Sequence, residues 1–233
     1  MVPTSPKPLY LFADSQLLFW QEHGYFFLES VAAHITSKPA KAAYLGASNG
    51  DLPEYYALFQ EAMDGIGISD CRMIAAQLSN QDRQYLEQAD LILLAGGDVE
   101  QGWQAFVAHD LPTLLRRRYA EGAVLIGISA GAVQLGRYGW SEIGEAGLGR
   151  ELFDTLNLVP YLIDAHDERN DWQRLQATIG LLGQACTGIG IPSGAGLIYY
   201  PDQTLEPVRR ALDVFRCGEN GIVAASMLLP EHG

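Results

Sequence analysis

Positive charge is scarce in this sequence. Its 233 residues hold 15 Lys and Arg against 28 Asp and Glu, a formal net charge of −13. Nucleic-acid binding needs clustered Lys and Arg to neutralise phosphates. The short basic run Arg116–Arg118 falls within a helical pattern and is interpreted as a solvated helix face. The composition therefore predicts no nucleic-acid partner.

Cysteine and long apolar stretches are scarce as well. Cys71, Cys186 and Cys217 are odd in number and far apart, which fits neither a disulfide framework nor the spacing of metal ligands. We therefore expect no metal or other cofactor and a reducing compartment, the cytoplasm. No run reaches the roughly 18 apolar residues that span a bilayer, and the apolar piece Leu9–Phe12 is too short for a signal peptide. We expect no membrane contact.

What is present is the alternation of short apolar runs with helical patterns. The clearest predicted strands are Leu9–Phe12, Ala42–Leu45, Leu91–Ala95 and Ala123–Ile128. Helices are predicted at Pro53–Met63, Val99–Ala108 and Thr113–Ala120. This order is typical of an α/β fold, a mainly parallel sheet flanked by helices. The length suits one α/β domain over residues 1–233.

The second half of the chain has a looser pattern. The glycine-rich stretch 136–151 predicts a long loop over the carboxyl edge of the sheet. Leu158–Ile163 predicts a strand, followed by a helix from about Arg169 to Leu182. Short β pieces that close one edge are predicted at Gly190–Tyr200 and Leu205–Cys217.

The sharpest chemical signal is the segment Gly127–Gly131, which reads G-I-S-A-G. It follows an apolar strand and opens into a helix-compatible segment, the context of a nucleophile elbow. Such a tight turn exposes the hydroxyl of Ser129 beside the free N–H groups that begin a helix. The alternative is a close-packed turn in which Ser129 only caps the helix.

A serine nucleophile needs a base, usually a histidine. His166 follows a predicted strand at the sheet edge where Ser129 should emerge, whereas His23 falls in the predicted first helix. A second oxyanion donor is expected from Gly96-Gly97-Asp98, because paired glycines let backbone N–H groups approach a ligand. The alternative for this segment is a plain turn in which Asp98 caps the following helix.

Several motifs together resemble peptidase family S51, the family of aspartyl dipeptidase and cyanophycinase. The resemblance covers roughly residues 40–200. The motifs are Ala43-Tyr-Leu-Gly-Ala-Ser48, Leu94-Ala-Gly-Gly-Asp98, Gly127-Ile-Ser-Ala-Gly-Ala132 and Phe153-Asp-Thr-Leu-Asn-Leu-Val-Pro160, the last running into Asp164-Ala-His166.

The resemblance implies a class I glutamine amidotransferase-like fold and hydrolysis of peptide bonds next to aspartate through an acyl-enzyme. Ser129 would attack, His166 would take and return the proton, and the N–H groups of Gly97 and Ala130 would hold the oxyanion. The family's third triad member is an acid after the serine. Here Gly144 occupies that position, flanked by two acids; we favour Glu145 and keep Glu142 as the alternative.

The expected substrate is a short aspartyl or β-aspartyl peptide, of the kind that cyanophycin contains. Asp98, Arg169 and Arg174 are the candidate substrate-binding residues, and Arg169 stands nearer to His166 in sequence. A guanidinium can hold a carboxylate with two parallel hydrogen bonds. Pro192-Ser193 replaces the acidic pair that the family often carries, so a catalytically inactive binding protein stays an alternative, as does an esterase-type serine hydrolase. A homodimer is one option for the oligomeric state.

Overall fold

The computed structural model describes residues 5–143, 149–182, 186–218 and 221–230. Its strands are β1 (Leu9–Phe12), β2 (Gln21–Glu22), β3 (Tyr25–Phe26), β4 (Lys41–Leu45), β5 (Asp70–Ile74), β6 (Leu91–Leu94), β7 (Val124–Ile128), β8 (Tyr138–Ile143), β9 (Gly149–Asp154), β10 (Leu162–Ala165), β11 (Thr187–Ile191), β12 (Gly196–Tyr199), β13 (Leu205–Val208), β14 (Asp213–Gly218) and β15 (Gly221–Ala224). Its α-helices are α1 (Phe27–Ala32), α2 (Pro53–Gly65), α3 (Asn80–Leu86), α4 (Val99–Ala108), α5 (Leu111–Ala120), α6 (Ala130–Leu135) and α7 (Gln173–Leu182).

The central sheet has seven strands in the order β13-β12-β1-β7-β6-β4-β5. Five neighbouring strands run parallel, namely β1, β7, β6, β4 and β5. At the β1 edge of this group, β12 pairs antiparallel with β1, and β13 pairs antiparallel with β12. The predicted α/β fold with a mainly parallel sheet is confirmed. The four strands predicted from apolar runs lie within one residue of β1, β4, β6 and β7, because a strand buried on both faces is apolar throughout.

Alternate residues of the parallel strands face opposite helical layers. Leu11 and Leu125 belong to a buried cluster shared with α4, α5 and α6. Tyr10 and Ile126, which are adjacent to Leu11 and Leu125 on the same strands, belong to a cluster shared with α1 and α2. The carboxyl ends of β6 and β7 are therefore packed on both faces, since Leu94 belongs to the first cluster and Leu93 and Ile128 belong to the second.

A smaller sheet of four strands, in the order β10-β11-β14-β15, stands beside the central one. Its β10 and β11 are parallel, and the others are antiparallel. Helix α7 covers it through a buried cluster that includes Trp172, Leu175 and Phe215. Helix α7 begins at Gln173, four residues later than predicted.

The long loop predicted for residues 136–151 is wrong, since β8 and β9 pair as an antiparallel hairpin. Trp140, opposite Leu152, is buried. A Cβ on Gly139 would lie 2.4 Å from the Phe153 ring, so this glycine admits an aromatic ring in a strand and does not mark a loop.

The first predicted helix is also displaced. His23 and Gly24, with φ of 52° and 85°, form the two-residue turn between β2 and β3, because Glu22 pairs with Tyr25. Helix α1 begins only at Phe27. Among the described residues, no helix has both the length and the apolar character that crossing a membrane requires.

Candidate active site

Ser129 lies in the sharp turn from β7 into α6. Its backbone has φ 49° and ψ −107°, a conformation that costs energy for any residue except glycine and that clusters at active sites. A Cβ on Gly127 would lie 2.5 Å from the Gly131 carbonyl carbon, and one on Gly131 would lie 2.2 Å from the Leu94 carbonyl oxygen. Both glycines of the G-x-S-x-G segment are therefore required by packing.

His166 follows the last residue of β10, so it comes from the smaller sheet. Its Nε2 lies 2.7 Å from Ser129 Oγ. Its backbone N–H donates to the Ile191 carbonyl at 2.9 Å, which fixes the end of β10 against β11. With the ring proton on Nδ1, Nε2 accepts from the Ser129 hydroxyl, the arrangement in which histidine acts as a general base.

The turn after β6 carries Gly97 at φ 133°, beside Ser129. A Cβ here would lie 2.0 Å from the Ser48 carbonyl oxygen, so glycine is required. The same oxygen accepts from the Asp98 N–H at 2.7 Å, which holds the turn against the residues after β4. Gly97 and Ala130, the first residue of α6, line one cavity with Ser129. The first N–H groups of a helix have no partner within it, so that of Ala130 is available to a ligand.

Two residues that sequence reasoning did not single out hold this turn. Gln134 in α6 is fully buried, and its Nε2 donates to Ser48 Oγ at 3.1 Å and to the Val99 carbonyl at 3.0 Å. Ser48 is itself 2% exposed. A glutamine inside the otherwise apolar segment after Ser129 was the available signal, because a buried amide must find partners.

The dyad opens into a cavity of about 400 Å³ that is lined mostly by polar atoms. Arg174 of α7 reaches it between two buried carboxylates, with Nη2 2.9 Å from Asp164 Oδ1 and Nε 3.4 Å from Asp167 Oδ2. Burial raises the pKa of Asp164 to about 6, outweighing the opposing effect of the guanidinium. This cavity therefore holds charges of both signs next to the nucleophile.

The other predicted substrate-binding residues are placed differently. Asp98 lines the cavity and also caps α4, accepting from the Gln101 N–H at 2.8 Å, so both interpretations of this residue fit. Arg169 is exposed in a short 3-10 helix and does not line the cavity. Glu145 lies outside the described residues. Glu142 is in β8, but its side chain is outside the described part of the chain.

We find no cluster of three His, Cys, Asp or Glu side chains that could hold a metal ion within the described ranges. What the site does contain is a serine hydroxyl bonded to an imidazole, next to backbone N–H groups at the carboxyl edge of a parallel sheet. These groups are the ones that a serine hydrolase with an α/β fold uses.

The family model of Peptidase family S51 matches residues 20–206. The chain belongs to this family, as its motifs had indicated. The matched region includes Ser129, which follows β7 of the central sheet, and His166, which follows β10 of the smaller sheet.

Two curated relatives are both called Peptidase E. That of Haemophilus influenzae (strain ATCC 51907 / DSM 11121 / KW20 / Rd) is 27% identical over 146 residues, 62% of this chain and 65% of that protein. That of Actinobacillus pleuropneumoniae serotype 7 (strain AP76) is 27% identical over 129 residues, 55% of this chain and 53% of that protein. The chain thus spans between about half and two thirds of the length of these relatives.

Two solved structures share the fold. A peptidase from an acI-B1 Actinobacterium superposes with a TM-score of 0.64 at 15% identity, covering 99% of this chain and 97% of that one. A putative peptidase E from Listeria monocytogenes EGD-e superposes with a TM-score of 0.60 at 16% identity, covering 88% and 99%. At these identities the likeness shows the fold alone.

Proposed function

We propose that this protein is a serine peptidase that hydrolyses short aspartyl or β-aspartyl peptides through an acyl-enzyme. The observation that carries the proposal is the 2.7 Å contact between Ser129 Oγ and His166 Nε2. It joins the hydroxyl of a serine with a strained backbone to a base that comes from a different sheet. A serine that only capped α6 would need no such partner, and its side chain makes no capping hydrogen bond.

The proposed reaction has two stages, acylation of Ser129 and hydrolysis of the acyl-enzyme. Ser129 Oγ attacks the peptide carbonyl while its proton passes to His166 Nε2. The resulting oxyanion accepts hydrogen bonds from the N–H groups of Gly97 and Ala130, which are fixed before the substrate arrives. His166 then gives the proton to the leaving amine as the carbon–nitrogen bond breaks. Water then attacks the ester while its proton passes to His166, and His166 returns that proton to Ser129 Oγ as the carbon–oxygen bond to the serine breaks and the acid leaves.

The charges in the polar cavity support an N-terminal aspartyl residue as the acyl part. Such a residue carries a carboxylate and an ammonium group. Arg174 can receive the carboxylate, and the acidic side chains Asp98 and Glu100 at the same cavity can receive the ammonium group. A β-aspartyl residue carries the same two charges, but both are on the α-carbon, which one methylene separates from the scissile carbonyl. It therefore presents the same two charged groups to the same set of partners.

The test is a peptide panel with and without the nucleophile. Purified protein and Ser129→Ala are assayed on Asp-X, β-Asp-X and Ala-X dipeptides and on simple acyl esters. We expect hydrolysis of the aspartyl peptides by the native protein. In Ser129→Ala we expect a loss of at least about three orders of magnitude in kcat, because the covalent pathway disappears.

Circular dichroism of Ser129→Ala serves as the folding control. A folded Ser129→Ala protein with more than about a tenth of native activity would rule out the serine mechanism. Ester hydrolysis without peptide hydrolysis would favour an esterase. Labelling of Ser129 by a fluorophosphonate with no turnover of any substrate would show a reactive serine with another role.

A further inference from the structure

A second cavity, of about 230 Å³, opens on the other side of the dyad. Ser129, His166 and Gly97 line both it and the polar cavity. Its remaining wall is largely apolar. The apolar side chains come from the residues after β1, from β4, from one face of α2 and from the end of β7: Leu18, Tyr44, Tyr55, Leu58, Phe59 and Ile128.

Two of the polar groups that line this second cavity, the Tyr44 phenol and the Asp14 carboxylate, are already paired within the protein. Tyr44 Oη accepts from Asn49 Nδ2 at 2.7 Å, and burial raises the pKa of this phenol, so it stays neutral. The Asp14 carboxylate accepts from the N–H groups of Gln16 at 2.9 Å and Gly194 at 2.8 Å. A ligand therefore meets mainly aromatic and aliphatic surface, to which an apolar group binds with a gain of free energy.

A peptide cut at Ser129 must extend away from the nucleophile in two directions, and each direction leads into one cavity. The proposed acyl residue occupies the polar cavity at Arg174. We propose that the second cavity binds a large apolar side chain on the residue that leaves as the amine. This inference rests on the proposed function and adds to it the preference on the far side of the scissile bond.

The charge of the second cavity determines which form of the test peptides is used. Among the described residues, Asp14 supplies the carboxylate that lines the second cavity. A free carboxylate on the leaving residue would be repelled by it. Each test peptide is therefore used as its C-terminal amide, so that the series varies only in the side chain that enters the cavity.

The experiment compares kcat/KM for Asp-Phe-NH2, Asp-Leu-NH2, Asp-Gly-NH2 and Asp-Glu-NH2. We expect Phe and Leu to exceed Gly by about ten-fold or more, since a few buried methylenes in an apolar pocket discriminate on that scale. Leu58, at 37% exposed, can be replaced without opening the core. Leu58→Lys should lower the Phe-to-Gly ratio at least about three-fold and raise the rate with Glu.

The matched control is Leu181→Lys, an exposed leucine of α7 that is not part of this cavity. It should leave the series unchanged. Equal kcat/KM for Phe, Leu and Gly would overturn the inference and leave the proposed function standing, as would a preference that Leu58→Lys and Leu181→Lys alter alike. Failure to hydrolyse both these amides and the free Asp-X dipeptides would overturn the proposed function and the inference with it. Hydrolysis of the free dipeptides but of none of the amides would overturn the inference alone.

Discussion

The two sheets equip the site in different ways. The central sheet contributes mainly backbone: the strained turn at Ser129, the turn at Gly97 and the first N–H of α6. The smaller sheet and its helix contribute titratable and charged side chains, His166, Asp164 and Arg174. At the dyad, therefore, the central-sheet half depends on backbone shape and the smaller-sheet half depends on charge, while Asp98 and Glu100 add acidic groups to the cavity where α4 begins.

The two halves should therefore fail in different ways. A substitution in the central-sheet half has to displace backbone atoms, so its effect should be steep and independent of pH. A substitution in the smaller-sheet half changes a charge, so its effect should depend on pH or on the charge of the substrate. Three variants test this difference.

The largest effect is expected for Gly97→Ala. The added Cβ would lie 2.0 Å from the Ser48 carbonyl oxygen, and a φ of 133° is strained for alanine. The turn has to move, and with it the N–H group of Gly97 that we propose as an oxyanion donor. We expect kcat to fall by about 10²–10³-fold, the usual effect of losing one such donor. The measurement is kcat on an aspartyl peptide at several pH values.

Gly65→Ala is the control for Gly97→Ala. Gly65 ends α2 and lines neither cavity at the dyad, and a Cβ there meets nothing within 4 Å. It should change neither kcat nor the melting temperature appreciably. A folded Gly97→Ala protein with native kcat would contradict the role of this turn and weaken the contrast between the two sheets.

A smaller effect, on stability, is expected for Asp164→Asn. Because burial raises the pKa of Asp164 from 3.8 to about 6, the folded protein keeps this proton while the unfolded chain loses it. The unfolding free energy should therefore fall as pH rises from about 4 to about 6 and then level off. The size of the decline is about 3 kcal/mol, from roughly two pKa units at 1.36 kcal/mol each.

Urea unfolding at pH 4, 5, 6 and 7 measures this decline. Asp164→Asn should remove it, whereas Asp171→Asn, which changes an exposed aspartate beside α7, should retain it. Parallel pH profiles for native protein and Asp164→Asn would show that the carboxyl group is ionised throughout. In that case Arg174, and not burial, would control its charge.

The smallest effect is expected for Arg174→Gln, in KM alone. Spacing along the sequence favoured Arg169 as the carboxylate anchor, but the cavity geometry favours Arg174. We expect Arg174→Gln to raise KM for an aspartyl peptide by about 10–100-fold, roughly 1.4–2.8 kcal/mol, and to leave a neutral peptide unaffected. Arg169→Ala should change neither value by more than about two-fold.

The KM series for Arg174→Gln should be run well below the melting temperature of the variant, because two buried carboxylates lose their cation. A matched thermal scan gives that limit. If Arg169→Ala raises KM for the aspartyl peptide and Arg174→Gln does not, the anchor lies outside the cavity, and the smaller sheet contributes only His166.

Features with local causes could be predicted from the sequence alone. Strands buried on both faces are continuous apolar runs, so β1, β4, β6 and β7 could be located from four or five residues each. The elbow at Ser129 was predictable because small residues are required next to it in the chain. The family was also indicated by short motifs, each of which can be recognised without knowing what lies opposite.

Features that depend on distant partners could be seen only in the folded chain. Examples are the Ser48 carbonyl behind Gly97, the amide of Gln134 that donates to Ser48, and the placement of Arg174, but not Arg169, at the polar cavity. Each depends on packing between segments far apart in sequence. The β8–β9 hairpin was missed for the same reason, because Gly139 is explained by the Phe153 ring across the strand pair. Such contacts form only after the chain has closed the loops between the partners. The residues next to each partner in the sequence therefore do not reveal them.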